Sequence, residues 1–252
     1  MTGKPKRKKL KIVLMVMLIL VVGFSLFAAY FFLTLPDVES LKSKNPKTTA
    51  MIEQRKKEAE HDGKKLYVRQ QWISFEKIPQ LMKDTVRISE DAGFYQHKGI
   101  DYYELKESIK RNLKEGKKSR GGSTITQQLA KNLFLSTEKS YYRKMKEFFL
   151  AKRLESHLSK NRIFNIYLNV IELGKGIFGV EAASRYYFKK SVTQLSLVET
   201  VRLAAVIPKP LRVTPLSNSG YLKWRANLLL DRLIKYGYIS EKEYYAAKAV
   251  FK

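Results

Sequence analysis

Residues 12–35, IVLMVMLILVVGFSLFAAYFFLTL, run for 24 positions without a charged side chain. A helix of that length spans the hydrocarbon core of a bilayer, which takes about 20 residues. A cleavable export signal has a shorter apolar core of about 7–15 residues and a small-residue cleavage site, so this span is expected to remain attached. Just before it, KPKRKKLK (4–11) holds six cations and no anion. The positive-inside rule leaves this tail, residues 1–11, in the cytoplasm and puts residue 36 onward on the outer face.

The exported part is strongly basic. The chain carries 49 Lys and Arg against 23 Asp and Glu. Six of those cations precede the span, which leaves 43 against 23, a net +20, beyond it. Such a surface favours polyanions: nucleic acid, anionic lipid headgroups or a phosphorylated substrate. No nucleic-acid motif is present, and a domain tethered outside the membrane does not meet nucleic acid. With no cysteine, disulfides and thiolate sites are excluded. His61, His97 and His157 are the only histidines, and none has a metal-binding spacing.

Residues 36–66 are polar and charged, punctuated by Pro36, Pro46 and Gly63, and are expected to form a juxtamembrane linker with one short helix over 50–60. The folded domain is then 67–252. Helical periodicity dominates it, over 76–90, 101–114, 124–135, 140–158, 160–172, 179–187, 195–206, 220–235 and 240–250. The best strand candidate is 67–75. The class is mainly α.

Three runs carry chemistry. ISEDAGFYQHKGID (88–101) sets the acidic pair Glu90-Asp91 among apolar and aromatic residues, as either an ordinary turn or a site of proton transfer. In GGSTITQQLAKN (121–132), Thr124 and Gln127 fit a helix-capping box, while Thr124, Gln127, Gln128 and Lys131 also form a polar stripe suited to sugar hydroxyls and phosphate. SYYRKMKEFFLAKRLESHL (140–158) reads as an amphipathic helix with Met145, Phe148, Phe149 and Leu154 inside. There Arg143 and Glu147 make either a surface ion pair or, with Lys144 and Lys146, a grip on pyrophosphate.

Taken together, these runs resemble the peptidoglycan glycosyltransferase family, specifically its monofunctional, membrane-anchored biosynthetic members. Five motifs appear in order over roughly 67–235. Glu90-Asp91-x-x-Phe94-x-x-His97-x-Gly99 is similar to the first, and Gly121 through Gln128 with Lys131-Asn132 to the second. Arg143-Lys144-x-x-Glu147 resembles the third. Ile163, Tyr167-Leu168-Asn169 and Gly176-x-x-Gly179 resemble the fourth, and Glu199, Leu203-Ala204 and Pro210 the fifth. The chain departs from the pattern at Lys139, where many members have arginine, at Glu107, where bifunctional relatives usually have arginine, and at Val201, in place of a common alanine.

The resemblance implies a lysozyme-like helical fold with a small membrane-facing lobe beside the cleft. It implies polymerisation of lipid II: a growing glycan on undecaprenyl pyrophosphate is the donor and the GlcNAc 4-hydroxyl of lipid II the acceptor. The product is a β-1,4 bond plus undecaprenyl pyrophosphate. Glu90 is the expected general base. Glu147, the second catalytic residue, orients cations or shares a divalent ion, and Ser123, Thr124, Gln127, Gln128, Lys131, Asn132, Lys139, Arg143 and Lys144 bind substrate. Asp91, Phe94 and His97 shape the loop. No cofactor is required, though magnesium or another divalent ion is compatible with the pyrophosphate, and no metal ligands are assigned. The expected setting is the bacterial inner membrane, with other cell-wall synthases or division proteins as partners. Two other readings stand beside this one: a lysozyme-like enzyme that cleaves glycan, and a non-catalytic scaffold that binds lipid II.

Overall fold

In the computed structural model of the protein, which describes residues 4–115, 122–138 and 140–252, the chain falls into two compact units that meet between Asp37 and Val38. The first is helix α1 (Lys4–Leu33). Within it, Lys9–Leu33 is long and apolar enough to cross a membrane, the one such helix among the described residues. It ends where the Thr34 hydroxyl caps the Phe31 carbonyl at 3.1 Å and Pro36 follows.

The second unit is mainly helical, as the periodicity predicts. It contains α2 (Ala50–His61), α3 (Gln80–Glu90), α4 (Tyr102–Glu115), α5 (Ile125–Phe134), α6 (Tyr141–His157), α7 (Lys160–Val170), α8 (Val180–Phe188), α9 (Leu197–Ala205), α10 (Gly220–Lys235) and α11 (Glu241–Val250). Most of these helices start on a serine or threonine whose side chain accepts from a backbone amide of the first turn: Thr49, Thr124, Ser140, Ser159, Ser196, Ser219 and Ser240. Helix α5 is central. It packs against α2, α6 and α7 and buries Ile125, Leu129 and Leu133.

Two expectations change. Residues 36–66, expected as a linker, are largely built into the second unit, which begins at Val38. Val38, Leu41, Met51, Ile52 and Ala59 are buried, and α2 lies on α5. The apolar residues responsible are too widely spaced among lysines and glutamates to stand out in the sequence. The strand expected over 67–75 shrinks to β1 (Arg69–Gln70), which pairs parallel with β3 (Ile177–Phe178). β2 (Glu172–Gly174) runs antiparallel on the other side of β3. Beyond Gln70 the extended chain bonds to one side chain instead of a strand. Buried Asn169 accepts from the Ile73 amide at 2.8 Å and donates to the Ile73 carbonyl at 3.0 Å. Its own carbonyl accepts from the Gln70 amide group at 2.9 Å. The fourth-motif residue Gly179 is needed for a close approach. Its φ is +83°, and a Cβ there would lie 2.6 Å from the Asn169 carbonyl oxygen.

Candidate active site

Glu90 is the last residue of α3, and its side chain is 10% exposed. One carboxylate oxygen accepts from the Ser89 hydroxyl at 2.8 Å and lies 3.6 Å from Nη2 of Arg225. That same guanidinium nitrogen donates to the Ser89 hydroxyl at 2.9 Å. The other carboxylate oxygen accepts from the Gln128 side-chain amide at 3.2 Å. Gln128 is in turn fixed by the hydroxyl of fully buried Tyr167, which donates to its oxygen at 2.9 Å. Burial, then the charges of Glu90 and Asp91, push the Tyr167 hydroxyl well above its ordinary pKa, so it stays a donor. The carboxylate is therefore aimed from three elements: α3, α5 and α10.

Its neighbour Asp91 builds the loop. It lies 3.0 Å from Nε2 of His97 and accepts from the backbone amide of Ile125, the first residue of α5, at 3.0 Å. Phe94 is fully buried and packs on Phe164 with ring centroids 5.4 Å apart. Gly99, at φ +85°, lets the loop pass over α6; a Cβ there would meet the Ala151 carbonyl oxygen at 3.2 Å. Asp91, Phe94 and His97 thus tie this loop to α5 and α7.

Helix α5 carries the Glu90 contact onward. Lys131 stands three residues after Gln128, about 4.5 Å further along the axis. Lys131 is half-buried, and among the described residues its ammonium donates no hydrogen bond. Burial lowers its pKa, and nearby Arg143 and Lys144 lower it further; Glu147 and Glu172 act in the opposite direction. An ammonium held this way is a receptor for an anion.

Across from it, the first turns of α6 present Arg143 and Lys144. Both are anchored on Glu147, which is 2% exposed: Nη1 of Arg143 donates to one oxygen at 2.7 Å, and the Lys144 ammonium to the other. Lys144 also donates to the Ser123 hydroxyl at 3.1 Å, and Nε of Arg143 to the Glu138 carbonyl. Here α6 departs from its expected packing. Its buried side is Glu147, Leu150, Ala151 and Leu154, while Met145, Phe148 and Phe149 remain partly exposed. A buried carboxylate needs charged partners one turn away, and Arg143 and Lys144 supply them.

The remaining predicted residues divide. Thr124 and Gln127 are buried in the capping box of α5, and the Thr124 hydroxyl donates to the Gly99 carbonyl at 2.6 Å. Of the two readings of that run, the capping box is present, with the Thr124 hydroxyl and the Gln127 side-chain oxygen engaged in it. Asn132 is buried on the same helix. Lys139 lies outside the described residues. Sequence reasoning missed Arg225, which is 8% exposed and sits in none of the five motifs. The signal was there: in α10, Leu222, Arg225, Ala226 and Leu229 follow the buried period, so an arginine takes an apolar position.

Among the described residues, the carboxylates beside the cation group are already engaged by protein donors. Both Glu147 oxygens are taken by Arg143 and Lys144, and both Glu172 oxygens by Arg55. Asp91, His97 and Asp101 also lie together. There the Asp91 oxygens face the His97 ring and the Ile125 amide, and one Asp101 oxygen accepts from the Glu104 amide.

A carboxylate aimed by donors and, one helical turn away, an ammonium that donates no hydrogen bond among the described residues are what a proton abstraction coupled to departure of a polyanion needs. Against known proteins, the family model described as transglycosylase matches residues 58–234. The chain is 39% identical over 208 residues to the biosynthetic peptidoglycan transglycosylase of Janthinobacterium sp. (strain Marseille), covering 82% of this chain and 89% of that one. It is 43% identical over 166 residues to the protein of the same description from Chromobacterium violaceum, covering 66% and 73%. Among solved structures it is similar to penicillin-binding protein 1A from Haemophilus influenzae, with TM-score 0.41 and 22% identity over 73% of this chain and 18% of that one.

Proposed function

The chain belongs to the transglycosylase family, and from that premise we propose how its residues work. It is a peptidoglycan glycosyltransferase that joins lipid II into glycan strands. The acceptor's 4-hydroxyl oxygen attacks the anomeric carbon of the donor while Glu90 takes its proton. The bond from that carbon to the diphosphate breaks in the same displacement, so an α-linked donor gives a β-1,4 bond and undecaprenyl pyrophosphate leaves. One inversion suffices, and no sugar–enzyme bond forms.

Ser89, Gln128 and Arg225 hold the carboxylate, and Tyr167 holds Gln128. Lys131, Arg143 and Lys144 receive the charge that develops on the leaving diphosphate, with Ser123 and buried Glu147 fixing the direction of Lys144. A magnesium ion brought by the substrate would take its ligands from phosphate oxygens and water. The apolar helix confines the enzyme to the surface that carries its lipid-borne substrate, raising the effective concentration. The basic tail faces the cytoplasm of an inner membrane and the second unit the outer side.

The observation that supports this reading most is on α5: Gln128 bonds to Glu90, and Lys131, one turn on and near Arg143 and Lys144, donates no hydrogen bond among the described residues. A glycan-cleaving enzyme has no use for a diphosphate grip. The full chain incubated with lipid II in detergent should yield glycan polymer and undecaprenyl pyrophosphate. Cut strands from preformed glycan without synthesis would favour the lytic reading; tight lipid II binding with neither product would favour a scaffold.

A further inference from the structure

Helix α2 precedes most of the matched domain: residues 54 and 55 lie before position 58, where the family match begins. These two neighbours each bond to a segment far away in the chain. Nε and Nη2 of Arg55 clasp both oxygens of Glu172 on β2 at 2.8 Å each, across 117 residues of chain. The Glu172 side chain is 7% exposed, so without Arg55 it would be a buried, uncompensated carboxylate. Gln54 grips the loop between α5 and α6. Its oxygen accepts from the Thr137 amide at 2.8 Å, and its nitrogen donates to the Thr137 hydroxyl. The next carbonyl, that of Glu138, is the one that receives Nε of Arg143.

We infer that Arg55 is a positioning residue of the diphosphate site: by occupying both oxygens of Glu172 it keeps that carboxylate from capturing the Lys131 ammonium, which stays open to substrate. This rests on the reading of Lys131, Arg143 and Lys144 as the diphosphate grip. Gln54 works from the same turn of α2 by fixing the loop whose carbonyl aims Arg143. Among the charges around Lys131, Glu172 favours the ammonium form, after Glu147 and against Arg143 and Lys144. A bidentate fork suits the task better than a point charge, since a lysine at position 55 would leave one carboxylate oxygen uncovered.

The test is a binding cycle on the full chain in detergent, with inorganic pyrophosphate and undecaprenyl pyrophosphate as probes. Arg55→Met is expected to weaken binding about tenfold in the wild-type background and less than about twofold when Lys131→Met is already present. Adding Glu172→Gln to Arg55→Met should bring affinity back to within about twofold of wild type, because the competing carboxylate is gone. That double variant also removes both buried charges together, so it stays measurable if Arg55→Met alone does not fold. Equal losses from Arg55→Met with and without Lys131 would overturn the role of Arg55, pointing to direct contact or general destabilisation. So would weak binding by the Arg55→Met/Glu172→Gln protein. If the wild type binds neither probe, the diphosphate site itself is contradicted instead.

Discussion

Lys131 carries a charge that the fold disfavours and that, in the proposed mechanism, the leaving diphosphate needs. Its ammonium is half-buried without a hydrogen-bond acceptor among the described residues, and burial lowers its pKa. For a lysine with a lowered folded pKa, the charged form is the one the folded state holds poorly. The destabilisation is thus fully present below the folded pKa and fades as pH rises through it toward the ordinary lysine value. Replacing Lys131 with methionine should therefore raise the thermal midpoint near neutral pH by about 1–4 °C, with the gain shrinking at alkaline pH. The same change should cut glycan synthesis by about 100-fold or more, as loss of a preorganised charge-stabilising group does. Thermal melts across pH check the first and product formation the second. A lower midpoint at neutral pH would show that Lys131 is a structural cation.

At the scale of elements, α5 carries both ends of the site, and its N-terminal cap sets where they fall. Thr124 caps the helix, Gln127 returns the bond in the capping box, and Asp91 takes the Ile125 amide. Thr124→Ala should lower stability by about 1–2 kcal/mol, a fall in midpoint of roughly 3–6 °C, while KM for lipid II changes less than about twofold. A tenfold rise in KM with an unchanged midpoint would instead place Thr124 in substrate binding. The capping signature was legible because it is local: Ser or Thr three residues before Gln or Glu. Helix α6 was legible as a helix but not in its rotation. Hydrophobicity assigned Met145, Phe148 and Phe149 to the inside, whereas the ion pairs of Glu147 with Arg143 and Lys144 decide that a carboxylate goes there.

Across the whole molecule, what escaped sequence reasoning lies far apart in the chain. Arg225 meets Ser89 across 136 residues, and Arg55 meets Glu172 across 117. No periodicity encodes such pairs; they follow from how helices pack. The apolar span, the helical class and the order of the motifs were legible because each is written in consecutive residues. The +20 balance says nothing of which few of 43 cations come together; the geometry shows Arg143 and Lys144 gathered on Glu147. The account as a whole turns on that carboxylate as the base. In Glu90→Gln the amide keeps the shape of the side chain and loses the capacity to take a proton. With lipid II as substrate, this variant is expected to lose polymer formation by about 100- to 10,000-fold while its thermal midpoint and lipid II affinity stay near wild type. Polymer made at close to the wild-type rate would contradict the account.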